Sequence, residues 1–241
     1  MVPLIDVRDL RFRYPDGTEA LTGVNFRLDK RETVALFGPN GSGKTTFILH
    51  LVGLLRGEGE IQVCGLSPEK DNLKTIRARV GVVFQDADVQ LFMPTVLEDV
   101  AFGPLNLGLS EAEARRKAEE ALDRVGMAAA ISKAPYHLSA GEKRRVALAG
   151  VLAMEPEILV LDEPTTFLDP PGRAALTSLL RELPQAKLLV THDVEFALTL
   201  ARRAVFFERG RIVSDGPVVD VARRHAWGSA RIEDVSGAQP A

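Results

Sequence analysis

Nine consecutive residues, Gly38-Pro39-Asn40-Gly41-Ser42-Gly43-Lys44-Thr45-Thr46, carry the clearest chemistry in the chain. The first eight fit the pattern G-x-x-x-x-G-K-[ST], a loop built to cradle phosphate. Its glycines let the backbone wrap closely, so that successive amides and the start of the next helix face phosphate oxygens. Lys44 is then placed to reach the β- and γ-phosphates of a nucleotide, and the Thr45 hydroxyl to bind Mg²⁺. A second signal is Ile158-Leu159-Val160-Leu161-Asp162-Glu163, an apolar run closed by two adjacent carboxylates. At the C-terminal end of a parallel strand, Asp162 can hold the Mg²⁺ shell while Glu163 polarises an attacking water. Two acids after a strand also occur in an ordinary solvated turn, and the glycine loop by itself does not separate kinases, GTPases and motor ATPases. Together they narrow the field.

Both signals need elements to hold them. Residues 33–37 read as a strand running into the glycine loop, and residues 45–55 as the helix leaving it. Residues 4–7, 10–14 and 24–28 read as short strands, with Pro15-Asp16-Gly17 as a turn between the last two. Further strands are expected over 60–64, 80–84 and 187–191, and a closing hairpin over 205–208 and 211–213. From Thr95 to about Ile131 the pattern turns helical and charge-laced. There Ser110 and Glu113 form a capping-box pair, and Ala114, Ala118, Ala121, Leu122 and Val125 share one face. Another helix is expected from Ala140 to Ala153, one near 173–183 and one after Asp193. Continuous apolar runs such as 158–161 and 188–190 suit strands buried on both faces of a parallel sheet. The expectation is an α/β core with a helical insertion at about residues 86–150, ending in a short loose tail over 226–241.

Composition bounds the setting. The chain has 241 residues, 46% apolar and 26% charged, ordinary for a soluble globular protein and long enough for a core without staples. A net charge of -3 argues against a non-specific nucleic-acid binder, which usually has a basic surplus. Cys64 is the one cysteine and has no internal partner, which suits a reducing compartment. The longest apolar stretch, Val146 to Met154, falls well short of the roughly 20 residues of a spanning helix. Charge interrupts residues 1–8 where a signal peptide needs an apolar run. A soluble cytoplasmic protein is expected.

A third signal is Leu138-Ser139-Ala140-Gly141-Glu142, followed by the basic stretch Lys143-Arg144-Arg145. With it the chain resembles the ABC-type ATPases, whose signature is usually Leu-Ser-Gly-Gly-Gln, over about residues 4–225. The resemblance implies a P-loop NTPase core with a mostly parallel sheet, an N-terminal antiparallel β subdomain and an inserted α-helical subdomain, all in one ATPase domain over 1–225. It implies that Tyr14 stacks on adenine, that Gln85 is the Q-loop glutamine and joins Thr45 and Asp162 at Mg²⁺, that Leu168-Asp169 is the D-loop, and that His192 is the switch histidine. Taken singly these are weak: Tyr14 is as readily plain packing, Gln85 and His192 are more often structural, and Asp169 before Pro170-Pro171 is also a helix N-cap. Their joint order carries the weight. In the family, Ser139 and Gly141 bind the γ-phosphate of ATP held by the opposite subunit, so ATP joins two subunits and hydrolysis releases them. Glu142 for Gln is a mild change at a helix start, whereas Ala140 for Gly narrows the space near the γ-phosphate. Lys44, Glu163 and His192 are all present, so an active Mg-dependent ATPase is expected.

The wording of residues 84–109 and 143–154 is similar to the ATPases of energy-coupling-factor importers. That likeness implies transport of cobalt, nickel or a water-soluble vitamin such as biotin, with ATP and Mg²⁺ as cofactors. The implied partners are a second ABC ATPase subunit, identical or different, an integral membrane coupling protein and a substrate-binding membrane protein. No nucleic acid is expected, and the place implied is the cytoplasmic face of the cell membrane, peripherally bound. A short C-terminal region and Thr166-Phe167 before Leu168 point toward the metal or biotin branch. Leu91, Phe92 and Met93 either form an apolar docking patch or pack inside the helical subdomain. Two alternatives are a non-transport ABC ATPase acting on nucleic acid or the ribosome, and an ATP-dependent switch with negligible turnover. The first commonly carries two cassettes, a coiled-coil insertion or a basic arm, none of which is visible here.

Overall fold

The computed structural model describes residues 2–228, so most of the expected tail, residues 229–241, lies outside the described residues. The chain divides into two compact units, the first made of Met1–Ile76 with Ala186–Ala241, the second of Arg77–Gln185. The first opens with β1 (Ile5–Arg13) paired antiparallel to β2 (Glu19–Leu28). Residues 4–7 and 10–14 read as two strands in the sequence, but one strand passes through both with a bulge. Asp9 takes a φ of 46° and donates its N–H to Asn25 Oδ1 at 3.0 Å, and the register shifts between Val7 and Leu10. The inward residues Ile5, Val7 and Leu10 are buried. The outward arginines pair locally, Arg11 with Asp9 and Arg13 with Glu19.

Next come β3 (Thr33–Phe37), the glycine loop and α1 (Lys44–Leu51). Phe37, just before the loop, and Phe47, one turn into α1, are fully buried, as is Phe207. Removing each ring from water is worth about 2 kcal/mol, which anchors the loop at both ends. β4 (Glu58–Val63) completes a three-stranded antiparallel sheet of order β2-β1-β4. The helix α2 (Leu73–Arg79) follows.

The second unit contains β5 (Val80–Val83), α3 (Val96–Leu107), α4 (Glu111–Arg124), α5 (Ala140–Leu152), β6 (Ile158–Asp162) and α6 (Pro170–Glu182). Strands β5 and β6 are parallel, with Gly81 opposite Leu159 and Val83 opposite Leu161. Helices α3, α4 and α5 each begin with a complete capping box: Thr95 with Glu98, Ser110 with Glu113, and Ser139 with Glu142. They pack on one another through small and branched residues, including Val100, Ala114, Ala118, Leu122 and Val146, all buried.

The chain returns to the first unit with β7 (Ala186–Val190), α7 (Val194–Leu200), β8 (Arg203–Glu208), β9 (Arg211–Pro217) and α8 (Val218–Arg224). These strands run in the order β7-β3-β8-β9, with β3 parallel to both neighbours and only β9 antiparallel. The expected class holds: α/β, mostly parallel strands, an N-terminal antiparallel sheet and a helical insertion. No helix among the described residues is long and apolar enough to cross a membrane.

Candidate active site

The glycine loop is pressed against its surroundings. A Cβ on Gly38, where φ is 136°, would lie 2.2 Å from the Phe207 carbonyl oxygen. One on Gly43, where φ is 107°, would lie 2.6 Å from the Ala20 carbonyl oxygen. Only glycine fits either place. Within this cradle Ser42 Oγ is buried without a hydrogen-bond partner, an unsatisfied group of the kind a phosphate oxygen would satisfy. The Lys44 ammonium donates to the carbonyls of Gly38 and Pro39 at 2.7 and 2.9 Å, which holds it over the loop. Thr45 is exposed, and Tyr14, just after β1, meets Thr46 hydroxyl to hydroxyl at 3.1 Å. The aromatic residue and the loop's helix are thereby tied together.

His192 belongs to this unit too. Leu36 of β3 lies opposite Val190 of β7, so Gly38 and His192 each follow two residues later from the same end of neighbouring parallel strands. Asp193 then caps α7, its carboxylate accepting from the Phe196 N–H at 2.9 Å, and fixes the backbone beside the histidine.

The remaining candidates fall in the second unit. Gln85 follows the end of β5 and Asp162 ends β6, again at the same end of parallel neighbours. Asp162 and Glu163 are each 8% exposed, and Glu163 has a φ of 46°, a costly conformation for a residue with a side chain. What holds them is Arg144, on α5 and 5% exposed. Its guanidinium donates to the carbonyl oxygens of Gln85 and Glu163, and more weakly to that of Asp162 at 3.4 Å. Burial pulls this guanidinium below its usual pKa, against the opposing pull of the Asp162, Glu163 and Asp86 carboxylates. The sequence showed Arg144 only as one member of a basic helix. Its partners are backbone carbonyls, which leave no side-chain signal. Gln90 was missed for the same reason; it accepts from the Phe84 N–H at 2.9 Å and donates to the Val82 carbonyl at 3.0 Å.

At the signature, Glu142 accepts from both the N–H and the hydroxyl of Ser139, each at 2.8 Å. The Ser139 N–H and hydroxyl hold the Glu142 carboxyl below its ordinary pKa, so it makes a charged, stronger cap than glutamine would. A Cβ on Gly141 would lie 3.4 Å from the Leu168 side chain, which puts the signature beside the segment ahead of Asp169. Asp169 caps α6 by accepting from the Gly172 N–H at 2.9 Å, compatible with the second role expected of it.

The segment between β5 and α3 presents apolar surface. Val89 is 70% and Phe92 63% exposed, while Leu91 and Met93 are half-buried. Phe92 meets Phe102 of α3 edge to face, ring centroids 5.0 Å apart. Buried Asp99 accepts the N–H groups of Phe92 and Met93 at 3.0 and 3.1 Å.

The model of the ABC transporter family matches residues 21–166, from β2 through the acidic pair. The chain belongs to the ABC transporter family. This ABC protein is 48% identical to the energy-coupling factor transporter ATP-binding protein EcfA of Methanothermobacter thermautotrophicus, over 91% of this chain and 73% of that one. The solved structure of CbiO1 from Clostridium perfringens, part of the ABC transporter complex CbiONQ, superposes with a TM-score of 0.83 at 34% identity, covering 98% and 97% of the two chains. The dimeric cassette MJ0796, in a post-hydrolysis state with ADP and Pi, matches with a TM-score of 0.81 at 28% identity, covering 89% of this chain and 98% of that one. The resemblance to energy-coupling-factor ATPases holds, and the protein is an ATP-binding, ATP-hydrolysing subunit of an ABC transporter.

Proposed function

We propose that this ABC protein powers an energy-coupling-factor importer for a transition-metal ion such as cobalt or nickel, or for a water-soluble vitamin such as biotin. It would act as one of a pair of cassettes, at the cytoplasmic face of the membrane, beneath a membrane coupling protein and a substrate-binding membrane protein. The observation that carries the reading is the likeness to EcfA over 91% of the chain, joined to a glycine cradle that a Cβ would fill.

In this reading residues 38–46 wrap the phosphates, with Lys44 moving from the carbonyls of Gly38 and Pro39 to the β- and γ-phosphates. Tyr14, held by Thr46, stacks on adenine. One carboxylate, one hydroxyl and one amide oxygen (Asp162, Thr45, Gln85) suit Mg²⁺, a hard cation usually held by few protein ligands plus phosphate. When bound, Mg²⁺ neutralises charge on the β- and γ-oxygens. Glu163 orients the attacking water and His192 contacts the γ-phosphate. Ser139 and Gly141 reach the nucleotide of the second cassette, with Asp169 beside them, and Ser139 must loosen its bond to Glu142 to do so.

The test is steady-state phosphate release together with affinity purification from membranes. Glu163→Gln is expected to lower turnover at least about a hundredfold while ATP binding persists. Turnover intact in that variant removes Glu163 from the role. Recovery of ribosomes or DNA in place of integral membrane proteins overturns the importer reading. Uptake assays with cobalt, nickel and biotin then separate the substrates.

A further inference from the structure

His192 is exposed, and an exposed imidazole must be held if it is to meet a phosphate in one orientation. Thr191 and Asp193 pin its backbone, since the Asp193 N–H donates to Thr191 Oγ1 at 3.0 Å. The ring itself lies against Trp227, centroids 5.2 Å apart and planes 34° from parallel. Trp227 comes from the far end of the chain, and the way α8 stops delivers it there. Ala226 takes a left-handed φ of 48°, and the Trp227 N–H donates to the Ala222 carbonyl at 2.8 Å. That is the helix stop in which the residue after the left-handed one turns back to make an apolar contact. Alanine is strained where glycine is usual, so the turn is held by what Trp227 touches.

Behind Trp227 stands a stack of rings. It meets Phe206 edge to face at 5.3 Å, Phe206 stacks on His225 at 3.7 Å, and His225 Nε2 is 2.7 Å from Ser214 Oγ. Beneath lies the core of Phe37, Val194, Ala197, Val218 and Val221, so the platform is continuous with the strand entering the phosphate loop. The indole N–H is buried without an acceptor, so ring contacts and not a hydrogen bond fix this side chain. An aromatic pair of this kind is favoured beyond its buried area, which selects one orientation of an exposed imidazole.

We propose that Trp227 is a positioning residue of the ATPase, holding the His192 imidazole in the orientation from which it meets the γ-phosphate. The proposal rests on His192 having that role. Steady-state kinetics of Trp227 variants, alone and combined with His192→Ala, test it. Trp227→Leu is expected to lower kcat roughly tenfold with KM within about twofold, because orientation is lost and nucleotide affinity is not. Trp227→Phe, which restores a ring face, is expected to recover most of the rate. Adding Trp227→Leu to His192→Ala is expected to cost nothing more, since the effect passes through the histidine. Trp227 is also the only tryptophan, so its emission reports the contact directly and is expected to shift to the red in His192→Ala as water replaces the imidazole. Overturning results are a Trp227→Leu protein at the wild-type rate, a Trp227→Phe protein as slow as Trp227→Leu, or an emission spectrum indifferent to His192→Ala. If His192→Ala itself turns over normally, the histidine has no such role. That failure is distinct from loss of the ring contact, which the emission still reads.

Discussion

Three residues other than glycine sit at positive φ in the second unit, Glu155, Glu163 and Phe167, and the last two differ in what supports them. Glu163, at 46°, is buried and gripped through its carbonyl by Arg144, so its strain is over-determined by its neighbours, as at a site kept for chemistry. Phe167, at 65°, is 77% exposed, so its ring gains little from burial while its backbone bears the cost. A left-handed residue with a Cβ costs about 1–2 kcal/mol. Phe167→Gly is therefore expected to stabilise the protein by about 1 kcal/mol, raising Tm by about 2–4 °C for a chain of this size. Thermal unfolding checks it, and a lower Tm would mean that the ring contributes more than its exposure allows. Residues of this kind mark the limit of sequence reading. Gly38, Lys44, Asp162 and Glu163 stand out in the sequence as candidates because phosphate chemistry dictates residue type and spacing together. The unusual aromatic at position 167 was visible as a departure, but the torsion that gives it meaning was not.

Among the elements, legibility followed periodicity. Strand β3 and helix α5 fall close to their expected places because their apolar patterns are continuous. Helix α8 escaped notice because it starts after Pro217 with no side-chain cap, whereas the equally short α7 is announced by its Asp193 cap, and β1 was split because a bulge looks like a polar gap. Least visible was Arg144, which fastens the ends of β5 and β6 to the signature helix through three carbonyl oxygens. A planar guanidinium can donate to several acceptors at once, whereas a lysine ammonium is a compact point on a flexible stem. Arg144→Lys should leave at least one of these buried carbonyls unsatisfied, costing about 1–3 kcal/mol. Urea unfolding is expected to show that loss, and turnover is expected to fall with it because Gln85 and Glu163 lose a common anchor. A variant with wild-type stability and rate would show that the carbonyls find other donors. The same helix begins at the Ser139–Glu142 cap, so one element carries both the signature and the fastening of the acidic pair.

At the scale of the whole molecule, the central fact is surface that the fold leaves apolar on a protein that has, among its described residues, no membrane-spanning helix. Val89, Phe92, Phe102 and Leu105 are all exposed and lie between β5 and the end of α3. Scattered exposed side chains need no explanation, but here Phe92 and Phe102 are packed edge to face, which makes one continuous surface of the loop and the helix. The loop is also held in place in advance. Asp99 spends a buried carboxylate on the N–H groups of Phe92 and Met93, and burial raises its pKa against the lowering effect of those two bonds. Preorganisation of this kind reduces the entropy lost on docking, so the patch is ready for a partner without folding around it. Under the importer reading that partner is the membrane coupling protein. A central exposed aromatic in such a patch has the character of a hot spot, where truncation costs about 2 kcal/mol or more. Phe92→Asp adds the desolvation of a charge to that loss. It is expected to weaken retention of the membrane partner by at least about tenfold in affinity purification, with circular dichroism unchanged because the ring is already exposed. Asp99→Ala should weaken retention as well, by freeing the loop while leaving every apolar side chain in place. If Phe92→Asp retains the partner fully, docking uses another face. If Asp99→Ala alone retains it fully, the patch binds without needing to be held.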